Sequence, residues 1–189
     1  TRLQNENQTL AHQASHDSLT GLPNRAYFEA RLTQALRTRH KASEKVAVLF
    51  LDSDRFKSIN DNFGHAAGDV VLMALATRVQ ALLREDDLVA RLGGDEFAIL
   101  LTPLHAIEDA QRIAEKIIHS MLEPISLPGQ ASIVTSLSIG IAVYPEHGAT
   151  PDTLLRAADA AMYQAKRLSR GGQQLAASEH SALPVTTRS

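Results

Sequence analysis

Two short stretches of this sequence carry acids in positions where acids can do chemistry. Residues 46–51 form a continuous apolar run rich in branched side chains, and the run ends abruptly in Asp52-Ser53-Asp54. Such a run suits a strand covered on both faces, which puts Asp52 and Asp54 at a strand's carboxyl end. Asp95 and Glu96 follow Gly93-Gly94, a glycine pair that tolerates positive φ and signals a tight hairpin between extended segments at 88–92 and 95–101. Neighbouring strands lie about 4.8 Å apart, so carboxylates from the two stretches can meet around one or two divalent cations. The chain has no cysteine, which leaves oxygen or imidazole as metal ligands. Carboxylates suit Mg2+ or Mn2+, with the shell shared between protein, water and substrate phosphates. That is the apparatus of phosphoryl transfer. Any one of these acids alone is better read as a solvated strand end or turn; the combination carries the inference. The two glycines read the same way: alone they are turn chemistry, but beside acids they also let a nucleotide approach the main chain. No Walker pattern and no G-x-G-x-x-G occurs.

The elements that must position these residues alternate between the two periodicities. Residues 1–16 are rich in Gln and Asn, with Leu3, Asn7, Leu10 and Ala14 at spacings of four and three, the seam of a short helix or the end of a coiled coil. A turn signalled by Gly21, Pro23 and Asn24 precedes a helix with Phe28, Leu32, Ala35 and Leu36 on one face. After the acidic strand end, an irregular or single-turn segment runs to Gly64. A long amphipathic helix follows over 66–83, then the hairpin, then a helix carrying Ala110, Ile113, Ala114, Ile117, Ile118 and Met121. A strand is expected over 133–143 and a last helix over 154–165. From Gln173 on, periodicity fades, which implies a short edge strand near Leu175 and then a disordered end. The pattern is mixed α/β, without an internal repeat.

Composition narrows the classes further. The chain has 189 residues, 44% of them hydrophobic and 21% charged, with a formal charge of -2. That is enough for one domain with a full core. It is neither a disordered chain nor a polycation that would hold nucleic acid through its phosphates. No apolar run approaches the roughly 20 residues of a membrane helix. A start at Thr1 in a polar stretch suggests a piece of a longer protein.

The motifs together resemble a known family. Arg91-Leu92-Gly93-Gly94-Asp95-Glu96-Phe97 resembles the signature of the GGDEF-domain diguanylate cyclases. Asp17-Ser18-Leu19-Thr20-Gly21-Leu22-Pro23-Asn24-Arg25 looks like that family's entrance motif. Asp52-Ser53-Asp54-Arg55-Phe56-Lys57-Ser58-Ile59-Asn60-Asp61 looks like its D-x-D-x-F-K-x-I-N-D loop, Gly64-His65-Ala66-Ala67-Gly68-Asp69 like its G-H-x-x-G-D, and Tyr163-Gln164-Ala165-Lys166 like its Y-x-A-K. The matches run from residue 17 to 170 in family order. Two places depart from the pattern: Arg55 stands where an aromatic residue or His is common, and the stretch after Lys166 reads Arg167-Leu168-Ser169-Arg170-Gly171-Gly172, without the usual G-R-N. Ser53 replaces an aliphatic residue, but only its carbonyl is required of it.

The resemblance implies an α/β (α+β) fold related to nucleotide cyclases and polymerase palms: a central, mostly antiparallel sheet flanked by helices, here with an N-terminal helical extension. Residues 1–16 would be a helical linker from an upstream sensory domain, 17–172 the catalytic domain, and 173–189 an edge strand or disordered tail. The implied reaction joins two GTP molecules into cyclic di-GMP and releases two pyrophosphates across a homodimer. Asp52, the Ser53 carbonyl and Asp95 would hold two Mg2+ or Mn2+ ions, with Asp95 also accepting the ribose 3′-hydroxyl proton. Lys57 would sit near the developing charge on the leaving group. Asn60 and Asp69 correspond to guanine contacts, and a carboxylate there can accept from guanine N1–H and its exocyclic amine, which adenine cannot match. Asp69 also suits the dipole of a helix start. His65, Gly93, Gly94 and Glu96 fall at substrate positions. Lys166 and Arg170, four apart on one helix face, match the phosphate-binding pair. Arg84-Glu85-Asp86-Asp87 fits an R-x-x-D site through which cyclic di-GMP inhibits its own synthesis; alone, the pair reads as a surface ion pair. GTP use implies the cytoplasm, with the parent protein free to be membrane-tethered. The competing reading is a catalytically silent module that binds GTP or cyclic di-GMP.

Overall fold

A computed structural model describes residues 2–38, 42–129 and 132–178. In chain order it contains α1 (Arg2–Ser15), α2 (Arg25–Arg37), β1 (Lys45–Ser53), α3 (Phe56–Phe63), α4 (His65–Leu82), β2 (Leu88–Gly93), β3 (Glu96–Leu104), α5 (Ile107–Ser120), β4 (Leu137–Tyr144), α6 (Pro151–Leu168) and β5 (Gln173–Leu175). The strands form one sheet in the order β2-β3-β1-β4-β5, antiparallel throughout except for the β4–β5 pair. The apolar run before the acids therefore becomes the central strand. It is buried because it is hydrogen-bonded on both edges and covered on both faces.

Alternation along β1 splits its side chains between two cores. Ala47, Leu49 and Leu51 pack with Phe97, Ile99, Ile139 and Ile141 beneath α4 and α5. Val46, Val48 and Phe50 pack with Ala98, Leu100 and Ala142 beneath α2 and α6. Asp52 continues the second set, so it emerges on the α2/α6 face. Gly140 sets how close α6 comes to that face. A Cβ there would lie 2.0 Å from the Ala158 carbonyl oxygen and 2.2 Å from the Met162 nitrogen, so only glycine admits the helix backbone. Thr150 caps α6 by accepting from the Thr153 N–H, Pro151 opens the helix, and Lys166 and Arg167 occupy its last turn.

Three expectations about elements change. The segment to Gly64 is a full helix, α3, eight residues long, because Phe56 and Ile59 turn onto the core beside α4. The strand expected over 133–143 begins only at Leu137. Ile133 instead bridges Ile125, and residues 135–136 bend toward Asp54. The hairpin turn is Gly94-Asp95 rather than the glycine pair, since Gly93 still pairs with Glu96. The expected tail beyond residue 178 lies outside the described residues. Among those described, no helix is long and apolar enough to cross a membrane.

Candidate active site

The strand register brings the acids together. Asp52 pairs with Glu96 across β1 and β3, and cross-strand partners point to the same face, so both carboxylates rise on the α2/α6 side. Asp95 sits one residue further on, in the turn itself. Lys166 descends from α6 to place its Nζ 2.8 Å from Asp52 Oδ2. Asp52 Oδ1 is buried and has no hydrogen-bond partner. Burial, together with the adjacent Asp52 carboxylate, pushes Asp95 up to about 7, against smaller opposing pulls from a hydrogen bond to its own main chain and then from Lys166. Glu96 is also raised, by burial and then by Asp52 and Asp159, while Arg25 and Lys166 oppose the rise.

A crowded pair of carboxylates with one bare buried oxygen is short of positive charge. Those features fit a divalent cation. Among the described residues no three Asp, Glu, His or Cys side chains converge as a ready-made metal cage.

Asp54 does not join them. It is 3% exposed, and its two oxygens accept from the Ser136 hydroxyl at 2.6 Å and the Ser138 hydroxyl at 2.8 Å. The expected acid pair at the strand end thus separates into Asp52, which faces the site, and Asp54, which ties the strand end to the 135–138 segment. Ser53 is buried, and its side chain has no hydrogen-bond partner.

The hairpin tip is held by residues that the reading of charges and motifs left without a role. Arg91 directs Nε and Nη2 onto the Gly94 carbonyl at 3.0 and 2.8 Å, and its Nη1 onto Asp17 Oδ1 at 3.0 Å. The Arg91 N–H donates to the Pro23 carbonyl. Asp17 in turn accepts from the Thr20 N–H and hydroxyl. Burial pulls Asp17 upward, but these hydrogen bonds outweigh it and hold the carboxyl below its usual range. The entrance motif is therefore a clamp on the turn that carries Asp95. An Asp and an Arg 74 positions apart leave no local signal; only their presence in two motifs marks them.

The other expected residues flank this centre. Lys57 is exposed on the first turn of α3, and Asn60 lies on the same helix with its Oδ1 buried and unpartnered. Gly68 of α4 makes room for that amide, because a Cβ there would lie 1.9 Å from Asn60 Oδ1. His65 opens α4 and Asp69 is exposed one turn later. Asp69 is past the first turn, so the helix dipole does not account for it. Arg170 departs from expectation: α6 ends at Leu168, so Arg170 shares no helix face with Lys166 and instead lines a cleft with Asp54 and Arg55. Arg84 forks onto Asp87, Nε to Oδ2 and Nη2 to Oδ1 at 3.1 Å each, and also reaches the Pro103 carbonyl. The bond to Asp87 raises the Arg84 pKa.

Comparison with known proteins agrees with this geometry. Residues 14–172 match the family described as "Diguanylate cyclase, GGDEF domain". Diguanylate cyclase TpbB of Pseudomonas aeruginosa is 62% identical over 175 residues, which cover 93% of this chain; the chain spans 40% of TpbB's length. The crystal structure of the GGDEF domain of PA1120 (YfiN or TpbB) from the same organism superposes with a TM-score of 0.81 at 60% identity, covering 83% of this chain and 98% of that one. The coiled coil and GGDEF domain of DgcB from Caulobacter crescentus, solved in complex with c-di-GMP, gives a TM-score of 0.84 at 26% identity, covering 93% and 92%. A five-stranded sheet that brings Asp52, Asp95 and Glu96 together at one end of its interior strands, with the family's motifs in order along it, makes this chain a member of the GGDEF diguanylate cyclase domain family.

Proposed function

We propose that this domain condenses two GTP molecules into cyclic di-GMP, each of two facing copies holding one GTP. The observation that carries the reading is the convergence of Asp52 and Asp95 at adjacent strand ends, with Asp95 near neutrality. Asp52, the Ser53 carbonyl and Asp95 would hold Mg2+ or Mn2+, two ions per site, which when bound orient the ribose 3′-oxygen and offset charge on the leaving pyrophosphate. Asp95 is also placed to accept the 3′-hydroxyl proton, and holding a cation would keep its carboxylate ionised for that role. Lys57 and Lys166 supply positive charge to the triphosphate, and Arg170 reaches its far end from outside the helix. Asn60 and Asp69 read the guanine edge, with Gly68 leaving space for the amide and His65 beside them at the start of α4. Gly93 and Gly94 keep the hairpin bare of side chains where the nucleotide approaches, and Glu96 completes the acidic wall.

The product is symmetric and one site supplies half of it, so two copies must face each other, with α1 and an upstream sensory domain controlling their juxtaposition. Cyclic di-GMP would inhibit by opening the Arg84–Asp87 fork and taking the guanidinium with its phosphate and the carboxylate with its guanine edge. GTP as substrate places the domain in the cytoplasm, whether or not the longer protein is tethered to a membrane; no nucleic acid is required. The decisive test is incubation with GTP and Mg2+ and a search for cyclic di-GMP. Asp95→Ala should abolish its formation, whereas Arg84→Ala should relieve product inhibition and spare turnover. GTP binding without product from the unaltered chain would instead establish a silent sensor.

A further inference from the structure

The chain has no cysteine, so a transition-metal site in it must be built on imidazole. Of its eight histidines only His12 and His16 lie four positions apart. That spacing puts two side chains on one helix face, about one turn apart, where a single ion can take both. α1 ends at Ser15, so His12 belongs to its last turn and His16 is the first residue beyond it. Their rings meet there, with centroids 3.9 Å apart and planes within 4° of parallel. The Tyr27 ring of α2 stands 5.7 Å from His16. His12 is exposed and lies about 200° around the helix from both Leu10 and Ala14, so the pair leaves the seam of α1 free.

Hydrogen bonding fixes which nitrogen His16 offers. The Ser15 hydroxyl directs its proton at the Ala11 and His12 carbonyls, 3.0 and 3.1 Å away, so toward His16 it is an acceptor. His16 Nδ1 lies 2.8 Å from that hydroxyl and 3.3 Å from the His12 carbonyl, and a carbonyl can only accept. Nδ1 therefore carries the ring's proton, and the Nε2 lone pair is left for a ligand. A metal-bound histidine ordinarily has this support, its second N–H given to a main-chain carbonyl. Among the described residues the His12 ring has no hydrogen-bond partner, so it can turn either nitrogen to the same edge. Two nitrogens on a tetrahedral zinc ion are about 3.3 Å apart, a small tilt away from rings already stacked at 3.9 Å.

We propose that His12 and His16 together bind a divalent transition cation of the Zn2+ class, water filling the rest of its shell, and that the bound ion staples α1 to the domain. Mg2+ prefers oxygen and does not compete for a nitrogen pair. The domain holds the end of α1 through bonds from Asn24 to the Ala14 and Ser15 carbonyls and through the bridge between His16 and Pro23. An ion would add a link that spans the helix end, from His12 inside α1 to the residue next to Asp17. The Asp17 carboxylate holds Arg91 and with it the turn that carries Asp95. The site does not depend on the cyclase reading.

Zn2+ is the probe, titrated into the whole chain by calorimetry with Mg2+ in excess, so that sites built on oxygen are already taken. Neither histidine belongs to the core, so His12→Ala and His16→Ala should both fold. Loss of one ligand should weaken zinc binding by at least the roughly tenfold that loss of an outer-shell partner costs, and Ser15→Ala, which removes such a partner, by less. The staple has its own readout: zinc should slow amide exchange in the last turn of α1 severalfold in the wild type and leave it unchanged in His12→Ala. Zinc affinity equal in wild type, His12→Ala and His16→Ala would overturn the site and reduce the two rings to a stacking contact. Zinc bound through both histidines with amide exchange unaltered would overturn the staple.

Discussion

Asp95 is lifted to about 7 by its own burial and by Asp52, and a main-chain hydrogen bond and Lys166 keep it from going higher. The two neighbours act in opposite directions, so each can be removed to opposite effect. In the metal-free protein, Asp52→Asn should bring the Asp95 titration down toward the ordinary carboxylate range, and Lys166→Met should move it further up; carboxyl carbon shifts followed by NMR would show both. The sign of the linked stability follows. Unfolded, Asp95 loses its proton near 3.8, whereas folded it holds it to about 7. Relative to Asp95→Asn, the metal-free wild type should therefore lose stability as the pH rises from about 4, with the full penalty reached above about 7. A stability difference between the two proteins that does not change with pH over that window would mean that Asp95 is not held in its neutral form.

At the scale of elements, the site depends on how closely helices can approach strands. Gly140 lets the α6 backbone rest on β4, and that distance decides whether Lys166 reaches Asp52. Gly140→Ala must push against backbone atoms at 2.0 and 2.2 Å, which no rotamer change relieves. We expect a loss of about 3 kcal/mol or more, read by urea unfolding, and at sublethal denaturant a weakened Lys166–Asp52 contact. Near-wild-type stability would show that α6 can shift at little cost. Much of this architecture was legible in the sequence. The branched run of β1, the glycine hairpin and the apolar faces of α4 to α6 each declare one periodicity, and the acids at the strand ends follow from them. What was not legible arises from contacts distant in sequence. The serines that cover Asp54 lie 82 and 84 residues away, so Asp54 and Asp52 look alike in sequence. Residues 133–136 are branched enough to read as strand, yet they turn aside to meet Asp54 and Ile125. Arg170 has helical spacing from Lys166, and only the early end of α6 breaks the pair.

For the molecule as a whole, the puzzle is a helix that contributes nothing to the core. None of the 14 residues of α1 is buried, and Leu3 and Leu10 are 73% and 62% exposed. Its ties to the domain are at its last turn, where the Asn24 side-chain amide donates to the Ala14 carbonyl and the Asn24 N–H to the Ser15 carbonyl. Asn24 also caps α2 by accepting from the Tyr27 N–H, so the end of α1, the start of α2 and, through Pro23 and Arg91, the turn that carries Asp95 form one connected strip. A lone helix of this length is marginal in water, and a seam of Leu3, Asn7, Leu10 and Ala14 would gain stability by pairing with its own copy. If α1 holds two domains near each other, its effect is on effective concentration rather than on the fold. Deleting residues 2–10 should leave the thermal midpoint of the remaining domain within about 2 °C, since no core contact is lost. The same deletion should raise the protein concentration needed for half-maximal turnover per subunit by about tenfold or more. Superimposable dilution curves for the two proteins would remove α1 from the mechanism, and turnover per subunit that stays constant on dilution would remove the facing pair itself.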